Sequence, residues 1–336
     1  MDKPKMQDIA DALSISRISV WKALNDRPGI SGELREKVFT KAKEIGYMKS
    51  YEGIAGSAKS VPRTIAAVVS RPESSNFWMQ IIHQIAKELS LNQVNLMYTY
   101  MPVRYKEGDT LPEALSDGSV SGIVVLNIYS IQQLKMLASL SIPKVFLDCA
   151  PSMPLEQMHG DIVLIEGRSA VREITCSLLD SGSKTLGFVG DITYAQTNMD
   201  RYLGFTDAHE QRGIKIDETL SMTGKLSLDT HYQQIGAFLS SLKKMPDGFV
   251  CTSDYIAHFI RRYFTENNID ISKTHLTGFD NSSEYANVAN KITTVEVQTA
   301  SMGERLANKI MFATNHPNLP QEVSYVLTKV IYRSQP

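Results

Sequence analysis

The most restrictive feature of this 336-residue sequence is a regular alternation of apolar strands and amphipathic helices that starts near residue 64. Apolar runs predict strands at 65–69, 94–98, 123–126, 145–147, 186–189, 249–251, 276–278 and around 323–332. Helical spacing is found at 77–90, 130–140, 168–181, 201–212, 229–243, 255–267 and 301–314. Such alternation implies parallel sheets with right-handed crossovers, and this many strands predicts two sheets rather than one.

The first 45 residues follow a different pattern and predict three short helices. Ala10 is a small residue in the first helix, Ser14 lies in a tight turn, and Val20 is a branched residue in the second helix. This spacing is typical of a helix-turn-helix, whose second helix can enter the major groove of DNA. Ser16 is suited to cap that second helix. Periodicity alone leaves an ordinary three-helix bundle as the alternative.

The second helix carries the candidate DNA contacts. Arg17 and Lys22 suit the O6 and N7 atoms of guanine, and Ile18 suits the methyl group of thymine. The other candidates suit phosphates, which position a protein without specifying sequence: Ser16, Ser19, Trp21 and Asn25. Residues 1–63 contain 12 Lys and Arg against 8 Asp and Glu, whereas the rest of the chain contains 23 against 28. A basic segment on an acidic body agrees, though mildly, with attraction to phosphate.

Residues 4–47 resemble the DNA-binding head of the LacI/GalR repressor family. The matching positions are Asp8-Ile9-Ala10, Ser16, Ser19-Val20-Trp21-Lys22-Ala23-Leu24-Asn25, Ile30-Ser31, Arg35, Val38 and Glu44-Ile45-Gly46-Tyr47. Trp21 departs from the serine that is usual in the family. The resemblance implies a homodimer whose two heads bind double-stranded DNA at a pseudo-palindromic operator.

Residues 49–63 form a hinge or linker between this head (residues 1–48) and the rest of the chain. Family members order this segment as a short helix on DNA and wedge a leucine into the minor groove. An ungapped alignment places Gly56 at that leucine, and Gly53 lies one turn earlier. Each glycine costs a helix about 1 kcal/mol relative to alanine. Either Ile54 serves as the wedge or the protein binds without the central kink.

From residue 64 onward the chain resembles the periplasmic-binding-protein-like effector domain of the same family. The matching positions are Thr64-Ile65, Gly122-Ile123-Val124-Val125, Gly187-Phe188-Val189-Gly190-Asp191, Arg201-Tyr202-Leu203-Gly204-Phe205, Ser253-Asp254, Gly278-Phe279-Asp280 and Met302-Gly303. The fold implied is α/β, with two doubly wound parallel-sheet subdomains behind an all-α head. We expect residues 64–160 with 291–322 in one subdomain and 161–290 with 323–336 in the other, with crossovers near 160, 290 and 322.

A ligand is expected between the subdomains, because open parallel sheets bind ligands beyond the carboxyl ends of their strands. The candidate residues follow strands or open helices: Asn76, Phe77, Trp78, Asn127, Asp148, Arg201, Asp254 and Asp280. Carboxylates and an arginine beside an aromatic wall suit vicinal hydroxyls, so we predict a sugar or related polyol. Arg201 has the Arg-x-x-Gly-Phe context of the family's sugar-binding arginine. Asp254 has a helix cap as its alternative, and Trp78 has a place in the subdomain core.

These features predict a dimeric transcriptional regulator, a repressor by the family's commoner mode, whose operator affinity depends on a small-molecule effector. Induction and co-repression both remain open. One alternative is a regulator with a degenerate pocket that responds to a partner protein, and another is a solute-binding protein. Enzymatic function is not expected, since nucleophile-elbow and phosphate-loop motifs are missing and the histidines lack metal-ligand spacing. Cofactors and metals are therefore not expected either.

The sequence also bears on the compartment. Apolar runs fall short of the roughly 20 residues that cross a bilayer, and the N-terminus lacks a signal-peptide core. Three scattered cysteines, Cys149, Cys176 and Cys251, fit reduced thiols. We therefore predict a cytoplasmic protein without membrane association. The C-terminus adds no heptad helix, which favours a dimer over a coiled-coil tetramer.

Overall fold

A computed structural model of the chain describes residues 4–24, 29–45, 47, 63–71, 75–227 and 229–333. The chain divides into two compact units, residues 1–63 and residues 64–336. The division falls at the end of the segment predicted as a linker. Within the described residues, no helix is both long and apolar enough to span a membrane.

The first unit contains α1 (Met6–Ala12), α2 (Arg17–Leu24) and α3 (Gly32–Glu44). Ser14, in the turn between α1 and α2, has a φ of +51°, the left-handed conformation that the predicted turn needs. Ser16 Oγ accepts a hydrogen bond from the Ser19 backbone N–H at 3.0 Å, so Ser16 caps α2 as predicted. The helices pack on a small apolar core of fully buried side chains, which are Ile9, Ala10, Val20, Ala23, Val38 and Ala42.

In chain order, the second unit begins with β1 (Thr64–Val69), α4 (Asn76–Leu91), β2 (Asn95–Tyr100), β3 (Gly122–Leu126), α5 (Ile131–Ala138), β4 (Lys144–Leu147), β5 (Asp161–Ile165), α6 (Arg168–Asp180), β6 (Leu186–Val189) and α7 (Gln196–Gln211). It continues with α8 (His231–Ser241), β7 (Gly248–Cys251), α9 (Asp254–Glu266), β8 (His275–Thr277), β9 (Thr294–Glu296), α10 (Thr299–Asn315), β10 (Val323–Val326) and β11 (Lys329–Ile331). Short 3-10 turns lie at Glu113–Leu115, Leu155–Gln157, Glu218–Leu220 and Ile271–Lys273.

The described strands of this unit build two lobes. The first lobe holds a parallel sheet with the order β10-β5-β4-β3-β1-β2. The second lobe holds the parallel sheet β6-β7-β8, which single bridges connect to the antiparallel pair β9 and β11. The prediction of two parallel sheets is confirmed.

Both faces of the first sheet are covered, which explains why its strands are continuous apolar runs. Every residue of β3 is buried. Val124 and Leu126 pack on one face with side chains of α4 and α10, including Ile85 and Leu306. Ile123 and Val125 belong to the opposite face, which α5 covers through Leu134 and Leu137. The strands therefore have little freedom except at their ends, where the loops begin.

The predicted crossovers near 160, 290 and 322 are wrong by a few residues. β5 and β10 pair with each other in the first sheet, whereas β9 pairs with β11 in the second lobe. The chain thus passes between lobes after Ile165, after Glu296 and after Val326. The single strand predicted around 323–332 is two strands, because the last crossing interrupts it at Leu327 and Thr328.

Candidate functional site

The outward face of α2 is polar, basic and in part apolar. Arg17 is exposed, Ile18 is 68% exposed and Trp21 is 44% exposed. Lys22 is half-buried on the same helix. Val20, on the opposite face, is completely buried in the head core. Large apolar side chains on the open face of a small helical unit mark an interaction surface, because burying them on contact is favourable.

The residues predicted to contact phosphates differ in exposure and in whether the structure describes them. Ser16 is exposed, and its hydroxyl lies 2.9 Å from that of the half-buried Ser19. The two serines form the start of α2, where the N-terminal end of the helix favours an anion. Asn25 and Ile54 lie outside the described residues, so their predicted contacts remain predictions.

A cavity of about 450 Å³ lies between the two lobes of the second unit. Its wall comes from the segments that follow β1, β3 and β4 in the first lobe and β6, β7 and β8 in the second. This is the place at which open parallel sheets bind ligands. The size is that of a small-molecule site. The predicted residues that line it are Asn76, Phe77, Trp78, Asn127, Asp148, Arg201 and Asp280.

Asp254 does not line the cavity, and its predicted contact with a ligand is not supported by its position. Its carboxylate is buried in the second lobe, where it accepts hydrogen bonds from Ser282 N and Thr294 Oγ1, each at 2.7 Å. A side chain at Gly278 would collide with it, since a Cβ there would lie 2.0 Å from Asp254 Oδ1. The alternative role as a cap is also wrong: Ser253 caps α9 by accepting from Ile256 N. Asp254 instead ties the loop after β8 to β9.

Arg201 is held in place by three groups of the second lobe. It is 6% exposed, and one guanidinium nitrogen donates to the Thr252 carbonyl at 2.5 Å. The guanidinium carbon lies 3.6 Å from the centre of the Phe279 ring, and a terminal nitrogen lies 3.9 Å from Asp280 Oδ1. Burial lowers the pKa of Arg201, and Asp280 partly opposes this. The arginine is therefore a fixed part of the wall rather than a mobile side chain.

Asp148 connects the lobes. It belongs to the first lobe, but it accepts hydrogen bonds from Thr197 of the second lobe, from Oγ1 at 2.5 Å and from N at 3.3 Å. Thr197 is in the first turn of α7, whose own N-cap residue, Ala195, supplies no side-chain cap. Asp148 thus caps a helix of the opposite lobe. Burial raises its pKa to about 6, although the hydrogen bonds from Thr197 and Cys149 lower it in part.

The remaining predicted residues frame the first-lobe side. Asn127 has a φ of +56° and donates from Nδ2 to the Ser70 carbonyl at 2.7 Å, which joins the ends of β3 and β1. Ser75 caps α4. Phe77 and Trp78, in its first turn, contact edge to face with ring centres 5.2 Å apart. These two rings line the cavity and also pack against the apolar core, so Trp78 has its place in the subdomain core, and its contact with a ligand stays a prediction.

Sequence reasoning missed most of the aromatic wall. The cavity is also lined by Tyr129, Tyr194, His231, Tyr255 and Tyr285. The rings of Tyr129 and Tyr194 face each other across the two lobes with centres 4.4 Å apart. The position of these tyrosines in the sequence could have identified them. Each follows the end of a strand by three to eight residues: Tyr129 follows β3, Tyr194 follows β6, Tyr255 follows β7 and Tyr285 follows β8.

Comparisons with known proteins agree with this architecture. The periplasmic binding protein-like domain family matches residues 176–334. The regulator RegA from Clostridium saccharobutylicum, described as a helix-turn-helix-type transcriptional regulator, is 25% identical over 335 residues and 96% of each chain. A solved complex of the transcriptional regulator CelR with cellobiose has a TM-score of 0.71 at 21% identity, covering 99% of this chain and 100% of the other. The lac repressor dimer bound to operator and an anti-inducer has a TM-score of 0.65 at 16% identity, covering 99% and 98%.

Proposed function

We propose that this chain, a transcriptional regulator of the LacI/GalR family, binds operator DNA through α2 and changes its affinity for that DNA when a sugar or related polyol occupies the inter-lobe cavity. The observation that carries the proposal is the presence, in one chain, of an exposed helix-turn-helix surface and a polar and aromatic cavity between two lobes. A solute-binding protein needs the cavity and not the head.

On DNA, Arg17, Ile18 and Lys22 contact base edges, and Ser16, Ser19, Trp21 and Asn25 contact phosphates. The similar lac repressor binds its operator as a dimer, which supports a homodimer and a pseudo-palindromic site for this chain. Ile54 is the proposed minor-groove wedge in the linker. Repression is the proposed mode of action.

In the cavity, Phe77 and Trp78 offer flat apolar faces to a sugar ring, while Asn127, Asp148, Arg201 and Asp280 supply polar groups around it. The cellobiose bound to the similar regulator CelR supports a carbohydrate effector here. The effector can change operator affinity only to the extent that it binds the two states of the protein differently.

The DNA part is tested by gel-shift titration of the full-length protein on DNA from the region upstream of its own gene, at two salt concentrations. We expect a preferred sequence and a steep loss of affinity with salt. Ile18→Ala should weaken binding at the preferred site by about tenfold and leave non-specific binding unchanged. A salt-dependent interaction without any sequence preference would refute operator recognition.

The effector part is tested by thermal unfolding in the presence of neutral sugars and polyols, because a ligand that binds the folded state raises its stability by mass action. A sugar that raises the unfolding temperature should also change the affinity for the operator measured by gel-shift titration. Operator binding that persists in a chain that no sugar or polyol stabilises would favour regulation by a partner protein.

A further inference from the structure

The wall of the cavity carries an excess of negative charge. Among the described residues that line it, the carboxylates are Asp148, Asp191, Asp280 and Glu296, whereas the guanidinium groups are Arg71 and Arg201. A ligand inside the cavity is partly shielded from bulk water, so these charges are screened less than charges at the open surface. The distribution of hydrogen bonds decides which of the carboxylates a ligand can use.

Two of the carboxylates are already engaged. Asp148 accepts hydrogen bonds from Thr197 and Cys149. Asp191 accepts from Thr193 N and Thr193 Oγ1 with one oxygen, and from Leu226 N at 3.0 Å with the other. Both side chains therefore hold segments of the wall together.

Asp280 and Glu296 differ from this pair. They are partners in a single parallel bridge at the second-lobe end of the cavity, and both residues line it. Neither carboxylate accepts a hydrogen bond from another residue in the described part of the chain. The closest cation to Asp280 is Arg201, at 3.9 Å, beyond hydrogen-bond distance. Both residues are half-buried, so their oxygens face the cavity without a donor from the described protein, and a ligand that donates hydrogen bonds supplies what this corner lacks.

Arg201 cannot easily neutralise an anionic ligand. Its guanidinium is stacked on Phe279 and donates to the Thr252 carbonyl, and only 6% of the residue is exposed. Its buried Nε nevertheless finds no hydrogen-bond partner within the described ranges. The wall thus combines two carboxylates that accept no hydrogen bond within the described residues, Asp280 and Glu296, with an arginine, Arg201, that contacts of the second lobe hold in place.

We infer that the effector is a saccharide without an anionic group, that Asp280 and Glu296 accept hydrogen bonds from its hydroxyl groups, and that the same two carboxylates exclude phosphorylated and carboxylated sugars. The inference rests on the proposed sugar effector and adds the charge of the ligand and the role of Glu296. Selectivity of this kind arises because the carboxylates of the wall repel a phosphate group of the same charge.

The test uses full-length protein and matched pairs of ligands, with binding measured by calorimetry at pH 7.5. The neutral probes are glucose, ribose and cellobiose, and their partners are glucose 6-phosphate, ribose 5-phosphate and cellobiose 6-phosphate. We expect that a neutral sugar that binds does so at least about 100-fold more tightly than its phosphate ester.

Glu296→Gln tests the residue itself. The variant should weaken binding of the neutral sugar by about tenfold, because a hydrogen bond to a charged acceptor is replaced by one to a neutral acceptor. It should also reduce, by about tenfold, the ratio of the affinity for the sugar to the affinity for its phosphate ester. Glu156→Gln, which removes the same charge at an exposed position away from the cavity, should change neither quantity.

Each contrary outcome has a separate meaning. A phosphate ester that binds as tightly as its parent sugar overturns the charge rule and leaves the sugar effector intact. An unchanged ratio of these two affinities in Glu296→Gln overturns the role of Glu296 in excluding phosphate esters. No binding of any saccharide by a protein that still binds its operator overturns both the inference and the proposed effector.

Discussion

The α2 surface and the inter-lobe cavity use side chains in opposite ways. On α2, the candidate contacts lie in one stretch of chain, and Arg17, Ile18 and Trp21 are exposed to solvent. In the cavity, the candidate contacts come from segments between Arg71 and Thr299, and several are buried and bonded to one another. A surface that meets a large partner can be supported by a small core, whereas a cavity needs most of a domain to position it.

This contrast separates two ways in which a substitution acts. A change on the outward face of α2 removes a contact with a partner and leaves the head folded. A change in the cavity removes a ligand contact and a structural bond together, because residues such as Arg201 and Asp148 serve the wall as well as the ligand.

Val20→Asp should abolish specific DNA binding. Val20 is completely buried, and an unpaired carboxylate in so small a core costs several kcal/mol, enough to unfold the head. Ile18→Asp, two residues away on the exposed face of the same helix, should weaken binding while the head stays folded. Circular dichroism of the isolated first unit (residues 1–63), compared with gel-shift titration of the full chain, distinguishes them. Equal loss of helix in both variants would contradict the assignment of faces.

Arg201→Ala should lower effector affinity by about 100-fold and also lower the unfolding temperature of the second unit. The substitution removes the bond to the Thr252 carbonyl and the positive charge beside Asp280. Arg212→Ala is the matched control, since Arg212 pairs with Asp180 at the surface just after α7. Calorimetry and thermal unfolding measure the two effects. An unaltered effector affinity in Arg201→Ala would place the arginine outside the binding site.

Asp148→Asn should lower the affinity for the effector by about tenfold, because the cap that joins the first lobe to α7 loses its charge. Thr197→Val removes the other partner of the same contact. In a double-mutant cycle the two substitutions should not be additive. Additive effects would mean that Asp148 contributes through the ligand alone.

The weakest expected effect is a dependence on pH. Burial raises the pKa of Asp280 to about 7, and Arg201 lowers it only in part. Because an ionised carboxylate accepts stronger hydrogen bonds than a neutral carboxyl group, affinity for a neutral sugar should rise by about fivefold between pH 6 and pH 8 and then level off. Asp280→Asn should remove most of that rise.

The stability of the ligand-free protein should depend on pH in the opposite direction to the affinity for the sugar. A folded-state pKa above the unfolded value means that the folded protein binds more protons between about pH 4 and pH 7. The contribution of Asp280 to stability is therefore greatest at low pH and is lost as the pH rises to about 7. Asp148 acts in the same direction up to about pH 6. Thermal unfolding of the wild type and of Asp280→Asn across this range measures the contribution.

Much of the fold could be predicted from periodicity, and the errors have identifiable causes. β5 was missed because the segment between β4 and β5 contains the 3-10 turn Leu155–Gln157 in place of the helix that usually separates parallel strands. α7 begins at Gln196 rather than at 201, and its start is stabilised by Asp148 from the other lobe. No local pattern contains a cap that comes from a distant part of the chain.

The sequence by itself determined the helix-turn-helix, because its core, its turn and its outward residues are set by spacing within one short segment. It also determined the strands whose ends surround the cavity, together with most of the polar residues found there. Only the tertiary structure decided which carboxylates tie distant segments together, as Asp148, Asp191 and Asp254 do, and which accept no hydrogen bond within the described residues, as is the case for Asp280 and Glu296. The physical reason is that the chemistry of a buried carboxylate depends on its hydrogen-bond donors, and here those donors come from segments far apart in the chain.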